Sequence, residues 1–127
     1  MFARLSLVLA LLFAAGCASK GPLAVGTAQK EMNLGIADYE NGNYRDAEKS
    51  LQLAVNDGLF FKSDEIRARK YLAFIHCASA RETKCRNEFK KILELDPGFE
   101  LTIAEAGHPS WGPVFRRLKA PASGDRQ

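Results

Sequence analysis

From Leu34 to Val55 the chain reads LGIADYENGNYRDAEKSLQLAV, and apolar and small residues recur through it at helical spacing. The pattern predicts two short amphipathic helices broken at Asn41-Gly42-Asn43, with the small residues Gly35, Ala47 and Ala54 where the two helices touch. The first should start near Thr27 as N-cap and carry Met32, Leu34, Ile36 and Tyr39. The second, from about Tyr44 to Asn56, puts Ala47, Leu51, Ala54 and Val55 on one stripe and ends at Asp57-Gly58.

A second helical hairpin follows. Ser63-Asp64-Glu65 has a capping hydroxyl and acidic residues in the first turn, where they complement the helix dipole. Ile66, Leu72, Ala73, Ile75 and His76 then lead to a turn near Ala80. A further helix carries Cys85, Phe89, Ile92 and Leu93 into Leu95-Asp96-Pro97. Beyond it, Phe99 to Ala106 predicts a short helix ended by Gly107. Ser110 is the expected cap of a last helix that takes Pro113 in its tolerant first turn. In that helix Trp111, Val114, Phe115 and Leu118 form an apolar stripe at i, i+3, i+4 and i+7. Two stacked hairpins leave an apolar face open at the end, and this stripe is the expected cap.

Leu34, Gly35, Gly42, Tyr44, Ala47, Leu51 and Ala54 resemble the signature positions of the tetratricopeptide repeat, and Leu72, Ala73, Cys85, Phe89, Ile92 and Pro97 occupy the same places a second time. The resemblance implies an all-α fold: an α-solenoid of two tetratricopeptide-like hairpins over residues 27–119 with a C-terminal cap. Leu34 and Leu72 are 38 residues apart, against a standard period of roughly 34, which places an insertion at Gly58 to Lys62. Phe60 and Phe61 lie in it. They are expected to seal the core between repeats, the other reading being an exposed contact surface.

The N-terminus has the three-part design of an export signal over residues 1–16: a charge at Arg4, an apolar run from Leu5 to Phe13, then small residues. The run is shorter than the roughly 20 apolar residues needed to span a bilayer. Ala14-Ala15-Gly16-Cys17 resembles a bacterial lipobox, which implies that Cys17 is lipidated and becomes the first mature residue. Ala18 in place of aspartate implies, by Gram-negative sorting rules, the periplasmic face of the outer membrane. The alternative is an ordinary secretory signal with an incidental cysteine. Residues 17–26 then read as a tether and 120–127 as a frayed tail.

Composition is that of a globular chain: 127 residues, 46% hydrophobic and 26% charged, with a formal charge of +3. Without the leader, 17 basic residues face 15 acidic ones, too small an excess to recruit nucleic acid. With Cys17 lipidated, Cys77 and Cys85 remain on either side of the bend near Ala80 in an oxidising compartment. A disulfide bracing the hairpin is expected, the alternative being that Cys85 is only the small residue a close crossing needs. No C-x-x-C spacing marks a redox site. His76 and Cys77 are adjacent on a helix and point about 100° apart, so a zinc site with Cys85 and His108 is disfavoured and His76 reads as a core residue. No cofactor, metal, small-molecule substrate or catalytic constellation is expected, beyond the lipid itself.

In tetratricopeptide proteins the first helix of each repeat lines a peptide-binding groove. Carried over, the resemblance implies Gln29, Met32, Ile36, Tyr39 and Glu40, then Arg67, Lys70, Phe74 and Ala78. Ile36 and Phe74 hold the places where carboxylate-clamping members have asparagine, so a partner helix or strand with acidic flanks fits better, unless both simply pack on a neighbouring helix. Tyr71 to Cys77 (YLAFIHC), NEFKKILELDPGFEL and Ala104 to Arg117 (AEAGHPSWGPVFRR) resemble the TssQ family of small type VI secretion-associated tetratricopeptide lipoproteins. That resemblance implies a non-enzymatic accessory of an envelope secretion complex, binding other components of it. A tetratricopeptide component of TonB-linked transport, a pilotin-like outer-membrane assembly factor and a periplasmic redox or metal protein are the alternatives.

Overall fold

The computed structural model describes residues 22–120. The expected signal segment, lipidated Cys17 and the tail from residue 121 onward lie outside the described residues. Six helices follow one another: α1 (Pro22–Glu40), α2 (Tyr44–Asp57), α3 (Lys62–Ala78), α4 (Glu82–Leu95), α5 (Ile103–Ala106) and α6 (Gly112–Lys119). The described residues are helical or irregular and contain no strand.

Helices α1 and α2 form the first hairpin. Gly42 turns the chain at φ +80°, a region closed to most side chains, and Gly58 ends α2 at φ +91°. The helices cross at Gly35, where an added Cβ would lie 2.6 Å from Leu51 Cγ and 3.1 Å from the Ala47 carbonyl oxygen. No larger residue fits that crossing without pushing Leu51, which is fully buried. The second hairpin, α3 and α4, turns through Ala80 in a left-handed conformation at φ +60°, an arrangement costing about 1 kcal/mol for a residue with a Cβ. The Cys77–Cys85 disulfide closes that turn, with the two Cα atoms 5.2 Å apart.

Helix α3 is the shared wall. Ala68, Leu72 and Ile75 join Met32, Ile36, Ala47, Leu51 and Ala54 in one apolar cluster. Ala73 and Phe74 join Phe89, Ile92, Trp111, Val114 and Phe115 in a second. A helix buried on two sides loses the one-sided stripe of a surface helix. Ion pairs stitch the seams: Arg81 grips both oxygens of Glu48 at 2.8 and 2.7 Å, joining α2 to the turn before α4. Arg69 bridges Glu65 and Glu88 across the α3–α4 seam, reaching Glu88 at 2.9 Å.

Several expectations are corrected. Helix α1 begins at Pro22, so residues 22–26 continue it instead of belonging to a tether, and Thr27 is no N-cap; proline is well suited to a first helical position. Leu34 is 52% exposed, because Gly35 and Ile36 take the contacts and Leu34 lies roughly 100° round the helix from Gly35. Phe60 and Phe61 do not seal the core: they are 72% and 60% exposed, while Leu59 takes the inward place. Ser63 does not cap α3, whose N-cap is Phe61. The short helix expected over Phe99 to Ala106 is confined to α5, Ile103–Ala106, with Phe99 packed ahead of it. Ser110 donates its backbone N–H to His108 Nδ1 at 3.1 Å, and Trp111 stands at the start of α6 in its stead.

Candidate protein-binding face

One residue, Glu105, gathers the polar contacts of the cap. Glu105 closes a capping box: its backbone N–H donates to Thr102 Oγ1 at 3.2 Å and its Oε2 accepts from the Thr102 N–H at 3.0 Å. Its other carboxylate oxygen accepts from Lys70 Nζ at 2.6 Å, and its carbonyl accepts from Trp111 Nε1 at 2.9 Å. Glu105 thereby joins α3, α5 and α6. Burial works against its charge, but the Lys70 and Thr102 hydrogen bonds outweigh it and hold its carboxyl below the ordinary range. The T-x-x-E spacing of Thr102 to Glu105 is the sequence signal that marks this residue.

Trp111 turns inward. Its ring stacks on Phe74 at 4.1 Å and 17°, with His108 stacked at 3.4 Å between ring centres. Gly112 is what lets α6 come so close, since a Cβ there would collide with the Ala106 carbonyl. Val114 and Phe115 are buried and Leu118 is half-buried against the same cluster, with Phe115 edge-on to Phe89 at 5.2 Å.

This closure changes the expected groove. Met32, Ile36 and Phe74 are buried and are not available to a partner: the first two are consumed by the α1–α2–α3 core and Phe74 by Trp111. Gln29, Tyr39 and Lys70 are half-buried, and Glu40, Arg67 and Ala78 are exposed. What the α1–α3 side presents instead is a run of tyrosines. Tyr39 meets Tyr71 edge-on at 5.0 Å and Tyr44 at 5.3 Å. Lys70 Nζ lies 5.4 Å from the Tyr71 ring centre, a cation–π distance. Burial, and then its tyrosine neighbours, push the Tyr39 hydroxyl upward, so it stays a neutral donor and acceptor. Tyr71 and Tyr44 are the face residues that carrying over the groove positions missed, because both lie outside that set.

His76 is 4% exposed and its Nδ1 finds no hydrogen-bond partner. Burial holds its pKa below the ordinary value, with Glu48 opposing and Arg81 assisting. At neutral pH it is uncharged, so its 3.8 Å approach to Glu48 Oε1 is no ion pair. Glu88 and Lys84 also face it, pulling in opposite directions. A histidine whose folded pKa is depressed binds fewer protons than in the unfolded chain. Stability is therefore full above about pH 6.5 and falls as pH drops towards the folded value. Urea midpoints should drop between pH 7.5 and 5, and His76→Phe should flatten that slope; equal slopes would contradict the assignment.

His76, Cys77, Cys85 and His108 do not converge: the cysteines are bonded to each other and His108 lies against Trp111. Among the described residues no group of three or more His, Cys, Asp and Glu could hold a metal ion, and no helix is long and apolar enough to cross a membrane. No family model, curated protein or solved structure matches this chain.

Proposed function

We propose that this chain is a non-enzymatic, protein-binding lipoprotein: a two-repeat tetratricopeptide-like stack, closed by a cap and anchored through Cys17 to the periplasmic face of the outer membrane. The reading carries an accessory role in a type VI secretion system, with other envelope components as partners. Its main support is the tyrosine face formed by α1, the start of α2 and α3. Tyr39, Tyr44 and Tyr71 sit together on packed helices, with exposed Arg67 on α3. Tyrosine offers a large, rigid contact area with a hydrogen-bonding tip, at little cost in conformational entropy. Arg67 adds the positive charge that an acidic-flanked helix or strand would meet.

The test has two arms. The tagged full chain should fractionate with membranes and carry acyl chains on its Cys17 peptide by mass spectrometry, and Cys17→Ser should move it to the soluble periplasm. From the wild-type membrane fraction, mild detergent pull-down should recover secretion-complex components. Recovery of TonB-linked components alone, or of none, would overturn the secretion role, and an unmodified Cys17 would overturn the anchor.

A further inference from the structure

The α2–α3 connection puts two aromatic rings in solvent. Phe60 and Phe61 meet edge-on at 4.9 Å and 89°, and are 72% and 60% exposed. A pair this apolar is costly to leave in water. The connection is also pinned. Leu59 packs into the core beside it, Gly58 N–H bonds back to the Ala54 carbonyl at 3.1 Å, and the Phe61 carbonyl accepts from Asp64 and Glu65 at 3.0 and 3.1 Å. The rings therefore project from a fixed base.

Their position in the fold says what they meet. Gly35 crosses α2 between Ala47 and Leu51, and the two helices run antiparallel. Counting from that crossing at about 1.5 Å per residue puts the end of α2 level with Thr27, with the first residues of α1 just beyond it. Phe60 and Phe61 thus lie at the end of the molecule where α1 begins. Only residues 18–21 separate Cys17 from Pro22, so the Cys17 and Pro22 Cα atoms can be no more than about 17 Å apart. A lipid on Cys17 would hold this end of the domain close to the bilayer.

We propose that Phe60 and Phe61 form a membrane-contact wedge that enters the lipid interface and seats the domain with its α1 N-terminal end against the bilayer. The proposal rests on the reading of Cys17 as the lipid anchor. Its effect is orientation: the short tether keeps the wedge at high local concentration over the surface, and the wedge stops the domain from swinging on its tether. Asp57, Lys62 and Asp64 flank the rings with no net positive charge, so the partner is the apolar interface of a zwitterionic bilayer, and contact should not depend on salt.

The experiment couples the chain from Cys17 onward to phosphatidylcholine vesicles through a maleimide lipid. Cys17 is the free thiol, because Cys77 and Cys85 are bonded to each other. In Phe60→Trp, the emission of the tryptophan at position 60 should shift to the blue on coupling. Lipids brominated near the top of the acyl chains should quench it at least two-fold, in 0.05 and 0.5 M salt alike. The parent chain, with Trp111 buried, should show neither change. A tryptophan at position 60 that stays water-exposed and unquenched on the vesicle overturns the proposal. So does a blue shift without vesicles that grows with protein concentration, which would assign the rings to a second copy of the chain. Because the tether is chemical, failure here is separable from failure of acylation in the cell, which mass analysis of the Cys17 peptide reads on its own.

Discussion

Trp111→Ala should cost about 3–5 kcal/mol of unfolding free energy, the range for removing a large buried aromatic side chain. The indole fills the space between Phe74 and His108 and donates to the Glu105 carbonyl at 2.9 Å. Truncation opens a cavity between Phe74 on α3 and the start of α6. A domain of this size has roughly 5–15 kcal/mol in all, so the loss is a large share of the total. Urea titration followed by circular dichroism at 222 nm measures the change. Trp111→Phe separates stacking from hydrogen bonding: that carbonyl also accepts the His108 N–H at 3.1 Å, so most of the stability should survive. A Trp111→Ala loss below about 1 kcal/mol would mean that the cap is not docked.

Removing the disulfide should cost about 2.5 kcal/mol. The Cys77–Cys85 bond spans a sequence separation of 8, and the chain-entropy relation gives this value for so short a loop. Cys77 is the side to change, since it is only partly buried, whereas Cys85 is fully buried at the α3–α4 crossing. Cys77→Ala and reduction of the wild-type chain should lower the urea midpoint by similar amounts. Ala80, held at φ +60° inside the closed loop, should fray first on reduction, visible as faster amide exchange at the α3–α4 turn. A midpoint indifferent to reductant would show that the packing of Cys85 and Phe89 alone fixes the hairpin.

Much of the architecture could be read from the residues. Asn41-Gly42-Asn43 breaks a helical pattern as a positive-φ glycine should, and Gly35 with Ala47 marks a close crossing. The Trp111, Val114, Phe115 and Leu118 stripe is the cap that an open apolar end requires. The candidate face was less legible. Periodicity places Met32, Ile36 and Phe74 on one side of their helices, but cannot say whether that side meets a partner or another part of the same chain. Phe74 is covered by Trp111, which lies 37 residues later in the sequence. Phe60 and Phe61 differ from expectation for a related reason: of the apolar residues in the connection it is Leu59 that takes the inward place.

With the groove filled, the proposed protein-binding surface narrows to Tyr39, Tyr44 and Tyr71 with exposed Arg67. Protein-face contacts of this kind concentrate in a few aromatic and arginine residues. The cap fixes the helices that carry Tyr39 and Tyr71, through the Glu105–Lys70 ion pair and the Trp111–Phe74 stack.

Photocrosslinking in living cells tests this most directly. A benzoylphenylalanine placed at Tyr44 or Tyr71 should yield covalent adducts with an envelope protein, and the same probe at exposed Leu53 on α2 should yield none. Adducts from Leu53 but not from Tyr44 or Tyr71 would contradict the account, and so would a uniform pattern over all three positions.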